Sequence, residues 1–177
     1  MQIPSDFLKL YDDSSTSIKD MLELSGVDVW ERQKLRQQQF DVHNETRSIL
    51  YVWTHPSGSY AAPDILINRH IDELSEAVWA SAERIRSTFG GVSKIVRLML
   101  AKVPPGGSIK PHFDNGNLTQ IHRCHHVITS NEYVEFNIDI NTYNFKEGEV
   151  FEFNNQKLHS VKNKGSTDRV HLICDIL

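Results

Sequence analysis

Between Lys94 and the C-terminus, short apolar runs separated by Gly, Asn and Pro turns recur at nearly even spacing. That rhythm limits the chain to a sandwich or a barrel. The runs are Ile95 to Val103, Ser108 to Pro111, Ile121 to Thr129, Tyr133 to Ile138, Glu149 to Phe153, Lys157 to Lys162 and Arg169 to Ile176. A double-stranded β-helix, a jelly-roll or cupin-like variant, fits their number and would give distant segments a shared mouth.

Residues 1–93 read differently, mostly as helix. Ser14-Ser15-Thr16-Ser17 supplies helix-start residues ahead of Ile18, Met21 and Leu22, and Gly26 stops that helix; Asp28 with Glu31 three later resembles a capping box for a second. The clearest helix is expected from about Asp64 to Phe89, where Ile67, Ile71, Leu74, Val78, Ile85 and Phe89 recur at three- and four-residue steps before Gly90-Gly91. Its apolar stripe is expected to cover the outer face of a sheet. Ser48 to Trp53 reads as a strand ended by Pro56-Ser57-Gly58. The fold class expected is therefore mainly β with N-terminal helices. Residues 1–177 form one domain, with 1–93 a mostly helical support and 94–177 a β-helix core that carries the chemistry.

At 177 residues the chain is long enough to bury a core without staples. A net charge of −4 with mixed signs leaves no electrostatic footprint for nucleic acid or an anionic membrane. No stretch approaches the length of a membrane span, and Met1-Gln2-Ile3-Pro4-Ser5-Asp6 has no basic or apolar leader pattern. Cys124 and Cys174 alone cannot form a disulfide framework, so a reducing cytoplasm is the expected location. The expected partner is a small-molecule or peptide substrate, and the oligomeric state is open.

The chemistry-bearing residues lie in the strand-rich half. In His112-Phe113-Asp114, period-two alternation puts the imidazole and the carboxylate on one face, with Phe113 on the other. Pro104-Pro105-Gly106-Gly107 breaks the preceding strand, and His159 follows 45 residues after Asp114, enough chain to wind round a barrel and return. Two imidazoles and one carboxylate are the facial triad of non-heme Fe(II), which leaves the opposite hemisphere open. Two of the open positions suit the keto-carboxylate of 2-oxoglutarate and one suits dioxygen. The far carboxylate of 2-oxoglutarate then needs a cation, and Arg169 at the start of the last run is placed to supply it, since a guanidinium meets a carboxylate bidentately.

These residues, with Ile121-His122-Arg123-Cys124-His125-His126, Gly148 to Phe153, Leu158-His159-Ser160-Val161 and Arg169 to Ile176, resemble the aspartyl/asparaginyl β-hydroxylase family over roughly residues 95–177. The resemblance implies a hydroxylase dependent on Fe(II), 2-oxoglutarate and dioxygen, with His112, Asp114 and His159 as metal ligands. It also implies that Arg123 and His125, at the positions of an R-x-H element, bind 2-oxoglutarate beside Arg169. Animal members of the family lack the carboxylate ligand, whereas Asp114 supplies it here, and a filled position argues against a halogenase. The expected substrate is an amino acid of the Asp, Asn or Pro type, free or in a peptide. The chain stops at Leu177, where family members often continue with a tail, so the family's substrate does not transfer automatically.

The other polar residues have plainer readings. His122 and His126 share the strand face opposite His125 and are read as structural, and His43, His55 and His70 as ordinary histidines. His171 follows Arg169 by two and suits either the pocket or the core. Trp53, His55, Asn115 and Asn117 are candidate pocket residues, and Cys124 a small core residue. The rival reading from another class is a non-catalytic jelly-roll that binds a metal or small acid as a sensor; a manganese or zinc cupin with isomerase or lyase chemistry ranks below it.

Overall fold

The computed structural model describes residues 3–177; Met1 and Gln2, the first residues of the segment read above as lacking a leader pattern, lie outside the described residues. Among the described residues the chain runs β1 (Phe7–Asp12), α1 (Thr16–Ser25), α2 (Leu35–Gln39), β2 (Arg47–Trp53), β3 (Ile65–Leu66), α3 (Glu73–Ser87), β4 (Ile95–Val103), β5 (Ser108–His112), β6 (His122–Thr129), β7 (Val134–Ile138), β8 (Asn141–Tyr143), β9 (Glu149–Phe153), β10 (His159–Asn163) and β11 (Arg169–Ile176). A seven-stranded sheet has the order β1-β9-β6-β11-β4-β2-β3, and a four-stranded sheet the order β5-β10-β7-β8. Every pairing is antiparallel. Two facing antiparallel sheets of this kind make a double-stranded β-helix, the jelly roll expected from the spacing of the short strands.

Apolar side chains alternate between two layers. Val103, Ile109, Val127, Val134, Phe136, Ile138, Phe145, Phe151, Phe153 and Val161 fill the space between the sheets. The other face of the large sheet offers Leu98, Leu100, Cys124, Ile128, Leu172, Cys174 and Ile176 to Ile18, Val78, Ala82 and Ile85 of α1 and α3. The helices thus cover the outer face of the sheet, and Cys124 is a buried core residue, as expected. A polar contact fixes α3 on the sheet: Ser81 Oγ lies 2.9 Å from His126 Nδ1.

The N-terminal region departs from a mostly helical support, since β1 and β2 each extend the large sheet, β1 against β9 and β2 against β4. The long helix also begins later than Asp64. Asp72 caps it by accepting from Ser75 N at 2.7 Å, and the residues before it belong to other local structure: Ile65–Leu66 pairs with β2, and Asn68 turns the chain by accepting from His70 N at 3.0 Å. Ile71, placed on the stripe by its spacing, is 65% exposed. The Asp28–Glu31 capping box is also not formed, because Val27–Glu31 is a 3-10 turn without a side-chain cap. No helix among the described residues is long and apolar enough to cross a membrane.

Candidate metal centre and its cavity

Strand pairing explains how two histidines far apart in sequence meet. In the antiparallel β5–β10 pair, His159 lies directly opposite His112, and the ring centroids are 4.2 Å apart. Asp114 follows β5 in a loop, where its backbone N–H donates to Asn155 O at 3.1 Å. Ligand-capable atoms of His112, Asp114 and His159 all lie within 4.8 Å of one another. Phe113, between His112 and Asp114, is 55% exposed.

Each ring is held in one orientation. His112 Nδ1 donates to Lys110 O at 2.7 Å and His159 Nδ1 to Lys157 O at 2.9 Å, so in both imidazoles the proton sits on Nδ1 and Nε2 carries the free lone pair. Those Nε2 atoms face Asp114, at 4.0 Å from Oδ1 for His112 and 3.9 Å from Oδ2 for His159. With metal–nitrogen bonds near 2 Å, two donors on one ion stand about 3–4 Å apart, so the cluster needs little contraction to close on a cation.

The protonation states suit a metal. Burial lowers His112 from its ordinary value and His159 to about 4, outweighing the nearby Asp114 carboxylate, so both rings are neutral near pH 7. For Asp114 the balance runs the other way. Burial raises its pKa, but Arg123 and the two imidazoles more than offset that, and the carboxyl is held below its ordinary value as an anion.

Arg123 is tied to two carboxylates. It donates to Asp114 Oδ2 at 2.5 Å from Nη1, and to Asp175 at 2.9 Å from Nε and 2.6 Å from Nη2. Its guanidinium therefore aims the Asp114 carboxylate at the imidazoles and neutralises Asp175, which is fully buried on β11. The family resemblance assigns Arg123 to 2-oxoglutarate; its hydrogen bonds here go to these two carboxylates.

Deeper between the sheets lies a second polar group. Arg169 is 1% exposed, has no acidic partner among the described residues, and stands 5.7 Å above the Phe136 ring. Its Nη2 donates to His171 Nδ1 at 2.9 Å, which makes that nitrogen an acceptor; His125 Nδ1, 3.1 Å from the same atom, must then be the protonated one. Burial keeps both histidines well below their ordinary values and brings Arg169 down to about 9. Arg169 Nε and His125 Nε2 are left buried without partners. A donor so placed costs free energy unless an anion arrives to accept from it. An interior guanidinium with a vacant hydrogen bond fits the distal carboxylate of 2-oxoglutarate. Phe153 links the two groups, 5.1 Å from both the His159 and the His125 rings. His171 thus faces the polar interior, one of the two roles open to it.

A cavity of about 620 Å³ opens beside the cluster, with His112, Asp114 and Arg123 on its wall. Trp53, His55, Asn115 and Asn117, the candidate pocket residues, line it too. Asn117 is committed to structure, because its amide donates to Gly58 O at 2.6 Å and its N–H to Pro56 O at 3.0 Å. The neighbouring Gly116 has φ +62, and a Cβ there would meet Pro56 O at 2.8 Å, so this junction requires glycine.

Three wall residues were not legible. Arg36 and Arg97 arrive from α2 and β4, and His43 packs edge-on against His112 at 5.6 Å with a buried, unpartnered Nδ1, so it is no ordinary surface histidine. No motif marks them, because their proximity comes from tertiary folding alone. His122 and His126 are structural, as read: His122 Nδ1 bonds Glu152 at 2.7 Å, and His126 bonds Ser81.

The model of the Aspartyl/Asparaginyl beta-hydroxylase family matches residues 2–177. In fold, the chain is similar to an oxidoreductase of the 2OG-Fe(II) oxygenase family from Burkholderia pseudomallei, with 11% identity, a TM-score of 0.59, and coverage of 96% of this chain and 92% of the other. It is also similar to the collagen prolyl hydroxylase of Paramecium Bursaria Chlorella virus-1, with 11% identity, a TM-score of 0.53, and coverage of 98% and 96%. No curated protein matches the chain in sequence. The chain is a hydroxylase of the 2-oxoglutarate-dependent dioxygenase class, with Fe(II) as its metal and 2-oxoglutarate and dioxygen as cosubstrates. With the family model spanning nearly its whole length, it belongs to the aspartyl/asparaginyl β-hydroxylase family.

Proposed function

We propose that this enzyme hydroxylates an unactivated C–H bond of an amino acid or peptidyl residue of the Asp, Asn or Pro type, coupled to decarboxylation of 2-oxoglutarate to succinate. His112, Asp114 and His159 are the proposed Fe(II) ligands and Arg169 the partner of the distal carboxylate of 2-oxoglutarate. One observation carries the reading: two neutral imidazoles present Nε2 to one buried carboxylate, while a buried arginine nearby has no anion of its own.

Fe(II), with electrons from 2-oxoglutarate, supplies the activation of dioxygen that leaves one oxygen atom in succinate and one in the product alcohol. The protein's residues set the geometry. Lys110 and Lys157 carbonyls fix the rings through Nδ1, which keeps Nε2 unprotonated for the metal. Arg123 positions the Asp114 carboxylate and keeps it ionised. His125 acts through His171, whose Nδ1 accepts from Arg169 and holds that guanidinium in place. The cavity wall holds the target carbon against the open side of the metal and limits access of water.

The test is succinate formation from 2-oxoglutarate under air with Fe(II), with and without pools of amino acids and blocked peptides. The reading expects one pool to stimulate turnover and to gain one oxygen atom per succinate formed. Succinate that no pool stimulates, and no hydroxylated product by mass spectrometry, would support a binding or sensor role instead.

A further inference from the structure

Two cations on the cavity wall have no part in the chemistry described so far. Arg36 is 5% exposed, and its side chain makes one hydrogen bond among the described residues, from Nη1 to Thr46 Oγ1 at 3.4 Å. It has no acidic partner within ion-pair distance among the described residues, and it lines the cavity. Arg97 is held by its own neighbours, with Nε 2.6 Å and Nη2 closer still to Thr54 O, and its guanidinium stacked 4.3 Å over Trp53. Its nearest carboxylate is Asp175, opposite it on β11, which Arg123 already grips. The third cation of the wall, Arg123, is matched by Asp114 and Asp175.

A buried guanidinium without a counter-ion is costly. Burial, with Arg123 and Arg97 close by, pushes Arg36 down to about 9, against the smaller opposing pull of Asp114 and Asp175. Such an arrangement is relieved when an anion enters. The space between is apolar on one side, where Phe40, Trp53, Met99, Leu118 and Ile173 line the wall, and its volume of about 620 Å³ suits a molecule of amino-acid or dipeptide size.

We infer that Arg36, with Arg97 beside it, binds a carboxylate of the substrate, so that the enzyme acts on a small acid rather than on an uncharged residue inside a peptide. This rests on the oxygenase reading for which molecule is transformed, though not for the binding itself. Arg36 offers the fork, because its guanidinium has no partner beyond the long Thr46 contact among the described residues; Arg97, already turned to Thr54, supplies charge. The acid is either the α-carboxylate of a free amino acid or an acidic side chain.

The experiment is anaerobic titration calorimetry on the Fe(II)- and 2-oxoglutarate-loaded protein with L-proline, L-leucine and L-aspartate, each against its α-amide, and with aspartate blocked at both ends. Acid must bind at least about tenfold tighter than amide, and Arg36→Gln must remove that preference, with Arg36→Lys restoring part of it. Binding of blocked aspartate but not of free proline would place the acid in the side chain; the reverse would place it in the α-carboxylate. Amides that bind as well as acids to the wild-type protein would overturn the inference without any variant. So would a weakened affinity for 2-oxoglutarate in Arg36→Gln, which would assign Arg36 to the cosubstrate. Repeating the titration on metal-free protein separates the two claims: an acid preference lost in Arg36→Gln there stands even if iron plays no part.

Discussion

Arg123 donates to the Oδ2 atom of Asp114 at 2.5 Å while the same guanidinium grips Asp175 with two further hydrogen bonds. The candidate metal carboxylate is thereby coupled to the last strand of the large sheet, because Asp175 pairs with Arg123 across β6 and β11. A single side chain both holds up the core and aims the proposed ligand.

Removing that side chain is expected to destabilise the fold as well as the site. Arg123→Gln removes the guanidinium that grips buried Asp175 with two hydrogen bonds, and breaking a buried pair costs about 3–5 kcal/mol. Arg123→Lys recovers only part, since a point charge cannot fork between two carboxylates. Urea midpoints measure both, and a Gln variant as stable as wild type would show that Asp175 has another partner.

Arg169→Ala is expected to raise the KM for 2-oxoglutarate about ten- to hundredfold, the worth of a charge-assisted hydrogen bond to a buried anion. Lysine at the same position should not restore it, because the Nη2 bond to His171 and the vacant Nε are separate arms of one planar group. An unchanged KM in Arg169→Ala rules out this arginine as the cosubstrate's partner.

How far the sequence was legible follows from the range of the interactions. Ile95–Val103, Glu149–Phe153 and Arg169–Ile176 read correctly end to end because each is an uninterrupted apolar run bounded by turn residues. His112 and Asp114 read as one face because alternation is a property of neighbouring residues. Strand β1, FLKLYD, was missed since its one partner is β9, some 140 positions away, and β8 since three residues make no pattern. The start of α3 was placed too early because Ile67 and Ile71 fit the helical period, whereas the Asp72 cap sets the true boundary. Arg36, Arg97 and His43 had no local signal at all; the cavity brings them together.

Asp6 gives the fold a measurable response to acid. It accepts from Lys157 at 2.6 Å, Tyr143 at 2.6 Å and Asn141 at 2.7 Å, and these bonds, Lys157 first, hold its carboxyl down to about 2. An unfolded aspartate titrates near 3.9, at about pH 4. The folded value is the lower one, so the stabilisation is complete above pH 4 and disappears as pH falls through 2. Wild type and Asp6→Asn should therefore differ in urea midpoint at pH 5 and converge toward pH 2; a gap independent of pH would remove the titration from the account.

The outer layer should tolerate loss of the α3 contacts only at a measurable cost. Ile85 is fully buried against the sheet, and Ile85→Ala is expected to destabilise by roughly 2–5 kcal/mol through lost burial and the cavity left behind. Ser81→Ala should cost about 1–3 kcal/mol, because His126 Nδ1 then lacks its partner. Thermal unfolding of the two variants checks this, and a Ser81→Ala variant with wild-type stability would mean that His126 has rotated to another acceptor.

The most direct test concerns the metal itself. Anaerobic equilibrium dialysis of Fe(II) against wild type and the three variants His112→Ala, Asp114→Ala and His159→Ala reads the site without any assumption about substrate. The account predicts one tightly held iron per wild-type chain, and a loss of affinity of at least roughly tenfold in each variant. Iron held as tightly by His159→Ala as by wild type would contradict it, since the residue brought opposite His112 by strand pairing would then not be a ligand.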